Sequence, residues 1–247
     1  MKKTTKIFCL IISVLLIFSA AACSPVDDDY GVSSVEEVTD KEAENIADEN
    51  VDTTIMSLDR VMSNYFDISL FDEENYANIY LGKKFEIDAT FAGDEFTVPM
   101  RMSKLEEIGW QIAEGNAYDG NSLIFTYETV DVVFINENGA KIYAQFFNSS
   151  RSSRKIKDCN IVKFKIMNDF YLNNAAYNSF SVNGITNTMA ITDIVDTLGT
   201  PSHFYKVSDT SYYLDYFVTK KDRRNGITVY INPVDDLITA IEFSCYK

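Results

Sequence analysis

The sequence predicts an α+β protein, a tandem of two helix-plus-antiparallel-sheet lobes behind a signal peptide and a disordered acidic tether. Three observations predict it. The 247 residues are 46% apolar and 24% charged, with only 10 Gly and 4 Pro, which is ordinary globular usage. The first 23 residues read as an export address. A strand–turn–strand pattern then occurs twice, 96 residues apart, each time after a short helix that stops at glycine. The formal charge of −15 argues against nucleic acid as a partner. A single histidine, His203, nearly excludes multi-histidine metal sites.

Residues 1–22 come first. Lys2, Lys3 and Lys6 form a positive head, Ile7 to Phe18 carry no charge, and Ser19-Ala20-Ala21-Ala22 lead into Cys23. Twelve residues span about 18 Å as a helix against a hydrocarbon core of roughly 30 Å, too short for a lasting membrane anchor. Ala20-Ala21-Ala22-Cys23 resembles the lipobox of bacterial lipoproteins, with Ala20 where that family usually has Leu. The resemblance implies that the Cys23 thiol is diacylglycerated and becomes the new N-terminus. The chain is then held at the extracytoplasmic face of the cell membrane, since two acyl chains anchor stably. The alternative is a plain signal peptide cut near Ala22, with Cys23 an incidental thiol.

Residues 23–54 read as a tether. Between residues 24 and 59 there are twelve acids and one base, Lys41. Few large apolar residues lie in its first two-thirds, too few to offset chain entropy. Like charge extends such a segment and repels an anionic membrane. The Asp27-Asp28-Asp29 triplet lacks the alternating acids and terminal Glu of a calcium loop.

The N-terminal lobe is expected over 55–168 and the C-terminal lobe over 177–247. Ile55, Leu58, Val61, Met62 and Tyr65 recur at helical spacing, and Ile79 to Phe91 reads as strand. Val133-Phe134-Ile135-Asn136 and Ile142 to Phe147 are matched by Val229-Tyr230-Ile231-Asn232 and Ile238 to Phe243. Upstream, Ser103 to Gly109 parallels Thr192 to Gly199, two short helices closed by the usual left-handed glycine. Ser103 with Glu106 fits a capping box.

The second copy carries a family resemblance. Gly184-Ile185-Thr186, Ile194-Val195, Leu198-Gly199-Thr200-Pro201, the strands Tyr212 to Val218 and Ile227 to Ile231, and Leu237 to Ile241 resemble the SmpA/OmlA family. This is the small lipoprotein E of the β-barrel assembly machinery, which reads Gly-Met-Thr, helix, Leu-Gly-x-Pro, aromatic strand, hairpin. The β-lactamase-inhibitor protein is a tandem of the same unit. The similarity covers residues 181–245 well and 85–166 loosely, and the two-lobed whole resembles lipoproteins of Gram-positive anaerobes. Ala190 stands where the family has a helix-capping Thr, with Thr188 or Thr192 as substitutes. What the resemblance implies is a fold and a style of binding, without a reaction.

No catalytic, metal or cofactor site is predicted. His203 follows Gly199-Thr200-Pro201-Ser202 without a nucleophile signature and reads as a loop histidine. Cys159 and Cys245 lie on predicted strands; export permits a disulfide between them, and two buried thiols explain them equally well. Acid pairs such as Asp235-Asp236 sit at turns. Two basic runs, Arg151, Arg154, Lys155, Lys157 and Lys220, Lys221, Arg223, Arg224, read first as solubilising loop charge, with an anionic polymer or acidic partner patch as the sharper alternative.

The aromatic surplus, 15 Tyr and 17 Phe, is the remaining candidate. With Val133/Ile135 and Val229/Ile231 assigned to the core, Phe134 and Tyr230 point to the opposite sheet face, alongside Tyr213 and Phe217. That face is a candidate partner surface if nothing covers it. The expected function is a lipid-anchored, non-enzymatic binding or assembly protein whose ligand is another protein. The alternative is an inhibitor or sensor of a secreted or cell-wall enzyme, and a cell-envelope hydrolase ranks third.

Overall fold

Alternating apolar and polar residues build most of the regular structure among the described residues into antiparallel strands. A computed structural model describes residues 61–168 and 179–246, all within one compact unit, Ala47–Lys247. The signal segment, Cys23, the tether and the start of the helix expected around Ile55 lie outside the described residues. In chain order the elements begin with β1 (Ala89–Phe91), β2 (Asp94–Phe96), β3 (Met100–Arg101), α1 (Met102–Glu107), β4 (Gln111–Ile112) and β5 (Leu123–Ile124). Next come β6 (Thr129–Ile135), β7 (Lys141–Phe147), β8 (Arg154–Lys155) and β9 (Asn160–Met167). The second half holds β10 (Phe180–Val182), β11 (Ile185–Thr186), α2 (Ile191–Leu198), β12 (His203–Ser208), β13 (Ser211–Thr219), β14 (Asp222–Asn232) and β15 (Leu237–Ser244). The fold is mixed and mostly antiparallel sheet.

One sheet runs through both halves in the order β12-β13-β14-β15-β9-β7-β6-β4, with β3 also on β9. The seam is β15 against β9, paired from Ala240 with Met167 to Ser244 with Lys163. Phe164 and Phe243 meet across it with ring centroids 5.6 Å apart. A second sheet, β11-β10-β1-β2, also joins the halves, since Ala89 pairs with Val182. The expected boundary near 168–177 therefore separates no independent cores. One apolar cluster holds Leu105 of α1, Ile194 of α2, Phe91 and Phe180 of the small sheet, and Phe146, Phe164, Val229 and Phe243 of the large one. Helices and small sheet thus cover the same face of the large sheet and leave its other face uncovered by them.

Local corrections follow from particular residues. Ile79 to Ile87 is not strand, because Gly82 at φ 93° turns the chain and its carbonyl accepts the Phe85 N–H. Ser103 lies inside α1, whose N-cap is Arg101, so no capping box forms there. Ala190 is the N-cap of α2, and neither Thr188 nor Thr192 replaces the missing hydroxyl. Instead Asp193 accepts the Ala190 N–H at 3.1 Å, and Asp236, 45 residues away in the β14–β15 turn, accepts the Ile191 N–H at 2.9 Å.

The two hairpins are equivalent, but in a different register from the one their sequences suggest. Val130 pairs with Phe146, Val132 with Ala144 and Val133 with Tyr143. Ile227 pairs with Phe243, Val229 with Ile241 and Tyr230 with Ala240, so the strands match at a spacing of 97. The extra residue is Thr239, skipped where Tyr230 pairs with Ala240 and Ile231 with Ile238. Its carbonyl accepts the Asn168 N–H instead. A one-residue slip exchanges the two faces of a strand. Phe134 is accordingly the counterpart of Ile231, fully buried in the core. Its assignment to the partner face is corrected by that register.

Candidate functional site

Cross-strand pairing assembles the open face row by row, since directly paired residues share a side. One row reads Tyr205, Tyr213, Tyr230, Ala240, Met167 across five strands. The next reads His203, Asp215, Thr228, Glu242, Lys165, Tyr143, Val133. Tyr213 stacks on Tyr205 at 5.2 Å and lies 5.8 Å from Tyr230. Lys165 places its ammonium 3.8 Å from the centre of the Tyr230 ring, and Lys163 pairs with Glu242 at 3.2 Å. Tyr205, Met167 and Tyr143 remain 48%, 45% and 41% exposed.

Of the predicted face, Tyr213 and Tyr230 are neighbours, and Phe217 joins them opposite Gly226. A side chain at Gly226 would put its Cβ 2.0 Å from the Tyr216 carbonyl oxygen, so only glycine fits the close strand approach there.

Tyr213, Phe217 and Tyr230 line a groove of about 450 Å³ with Tyr76, Arg223, Lys163 and Tyr246. Arg223 lies 3.9 Å over the Tyr76 ring, and Arg224 lies 5.0 Å over Tyr246. The Tyr246 hydroxyl donates to Gln145. Burial pushes the Tyr213, Tyr230 and Tyr246 phenols up, helped at Tyr230 by the Glu242 carboxylate, so these rings present neutral hydroxyls.

His203 is no loop residue. It starts β12, is buried, and its Nδ1 lies 2.8 Å from Asp215 Oδ2. The carboxylate can only accept, which places a proton on Nδ1. Its other oxygen accepts the Thr228 hydroxyl at 2.6 Å. The imidazole stacks on Tyr76 at 4.2 Å and lies parallel to Phe217 at 6.4 Å. Thr228 donates its hydroxyl to Asp215, and the Ser202 hydroxyl oxygen accepts the Phe217 N–H. The cluster therefore braces the groove wall. It also fastens the segment carrying Tyr76, whose next residue, Ala77, donates its N–H to the Ser202 carbonyl.

Cys159 is a buried free thiol, and burial pushes it up. The disulfide with Cys245 is not formed, because the Cys245 N–H bonds Val162, three residues along β9 from Cys159. That stagger is about 10 Å of strand, beyond the Cα reach of a disulfide. Cys23 lies outside the described residues. Among the described residues no three of His, Cys, Asp and Glu converge as a metal cluster.

Sequence reasoning missed Tyr76, Lys163, Lys165 and Glu242, which reach the face only through long-range pairing. It also missed Tyr205 and Asp215, which carried a local signal in their parity with His203 and with Tyr213 and Phe217. A scan against protein-family models and searches of curated proteins and of solved structures find no match to this chain.

Proposed function

We propose that this chain is a lipid-anchored, extracytoplasmic, non-enzymatic binding or assembly protein that holds a protein partner on the open sheet face. We also read its halves as diverged copies of one helix-plus-sheet unit of the SmpA/OmlA kind. The observation that carries the binding reading is the tyrosine row. Tyr205, Tyr213 and Tyr230 lie side by side with Met167 at the row's end, flanked by Lys165 and the Lys163–Glu242 pair. Aromatic anchors ringed by charge are the composition of interface centres. The stacked and paired contacts hold these side chains before a partner arrives, which lowers the entropy lost on binding.

A photo-crosslinking residue placed at Tyr205 or Tyr143 in the intact cell tests this. Both positions should yield a discrete protein adduct, and Ile108, exposed after α1, should not. Tyr213→Ala with Tyr230→Ala should abolish the adduct while the protein stays folded. Equal adducts from all three positions, or none, overturn the reading.

A further inference from the structure

Outside the rows of the open face, three large apolar side chains at alternate positions of one strand and turn are exposed to water. Leu123, Phe125 and Tyr127 are 56%, 63% and 61% exposed. They are not a loose loop. Asn148, itself buried, donates through Nδ2 to the carbonyls of Ile124, Phe125 and Ser152, at 3.0, 3.2 and 2.7 Å. Its Oδ1 accepts the Ser150 N–H and hydroxyl. The Tyr127 N–H bonds the Asn148 carbonyl, and Glu128 N–H closes the turn on Phe125. Below them, Ile124 and Ile156 root both strands in the core.

The strand beside this turn carries the first basic run. Lys155 pairs directly with Leu123, and Arg154 with Ile124. Arg151, Arg154, Lys155 and Lys157 are all exposed, and residues 149–157 contain no acid. Among the described residues none of the four cations lies within ion-pair distance of a carboxylate. The acids at the margins of 120–128 and 148–157 are Asp119, Asp158 and the exposed Glu128, which ends the first segment. Asp119 is already turned onto the N–H groups of Asn121 and Ser122. Asp158 lines a small polar pocket of about 120 Å³ with Arg101 and Arg154.

We infer that the tip formed by 120–128 and 148–157 is a membrane-docking element that inserts Leu123, Phe125 and Tyr127 into an anionic bilayer. The cations beside them would meet lipid phosphates. An aliphatic and two aromatic exposed side chains, with Lys155 paired beside Leu123 and three more exposed cations on the adjoining segment, is a composition suited to the headgroup–acyl boundary. A bilayer also requires no shaped counter-surface, whereas a protein partner does. In a chain of net charge −15, four unpaired cations beside exposed rings are a local inversion of charge. Screening over about 8 Å lets such a patch act apart from the acids elsewhere. The inference rests on the proposed anchoring only in that the anchor brings the tip to the membrane, where even weak docking is favoured by effective concentration.

The test uses the chain from Ser24 onward, which lacks the acyl site but keeps the whole unit from Ala47. It should sediment with vesicles of equal parts phosphatidylcholine and phosphatidylglycerol. Binding should fall at least tenfold on phosphatidylcholine alone, in high salt, or in Phe125→Ser with Tyr127→Ser. Arg151→Gln with Lys155→Gln should weaken it as well. A Phe125→Trp chain should be quenched by brominated acyl chains, while buried Trp110 is not. Tyr213→Ala with Tyr230→Ala should leave vesicle binding unchanged, which separates this site from the open face. No binding to the anionic vesicles overturns the inference, as does binding that the Phe125/Tyr127 variant retains.

Discussion

The hairpins β6–β7 and β14–β15 carry nearly the same string of residue types, yet they bury opposite letters of it. Phe134 and Tyr230 align in sequence, but Phe134 sits in the core and Tyr230 on the open face. The turn between Asn232 and Leu237 has four residues against five between Ile135 and Lys141, so Ile231 pairs with Ile238 where Phe134 pairs with Ile142, and the pleat does the rest. Thr239, by dropping out of the ladder, then brings β15 to the same spacing as β14. A likeness found in sequence therefore matches two hairpins strand for strand and still misplaces which side of each faces solvent.

The largest effect should separate these two aromatics. Phe134→Ala removes a fully buried ring and should cost about 3–5 kcal/mol of unfolding free energy. Tyr230→Ala removes a half-buried ring from the open face and should cost about 1 kcal/mol, mostly the contacts with Tyr213 and Lys165. Urea unfolding of both variants measures the difference. Equal losses would contradict the register.

A second comparison uses the corresponding ends of the inner strands. Thr129 pairs with Phe147 as Gly226 pairs with Ser244, so the two positions are equivalent. Thr129 is exposed, whereas a Cβ at Gly226 strikes the Tyr216 carbonyl. Gly226→Ala should destabilise by about 3 kcal/mol, because a backbone atom must move. Thr129→Ala should stay within about 0.5 kcal/mol. Thermal midpoints of the pair test this, and a harmless Gly226→Ala would mean that β13 and β14 lie further apart.

What was legible in the sequence follows from how local each signal is. The strands of both hairpins and the glycines that end α1 and α2 are written within a few residues, and all are found. Tyr213, Phe217 and Tyr230 share a face as their parity indicates. The burial of Phe134 was hidden because a one-residue difference in turn length leaves no mark in the alternation until the partner strand is known. The His203–Asp215–Thr228 chain was hidden because its members come from three strands. The exposed ring at Phe125 reads like any core aromatic, since only the fold decides whether a β5 neighbour meets the core or water.

The smallest effect concerns the turns, where the hairpins differ most. Asp236 closes the β14–β15 turn at φ 53° and reaches the first N–H of α2. The β6–β7 turn has no such reach: Arg101, the N-cap of α1, makes no side-chain cap, and Glu137 is exposed. Asp236→Asn keeps an acceptor oxygen and tolerates the left-handed backbone, so it removes only the charge. A carboxylate at a helix N-terminus contributes about 0.3–1 kcal/mol, and Asp236→Asn should lose that much in low salt. Added salt should shrink the loss, because the interaction is screened. Glu137→Gln should change nothing measurable under either condition. If the Asp236→Asn loss is independent of salt, the carboxylate acts by holding the turn. The second hairpin then orders its helix through backbone shape alone.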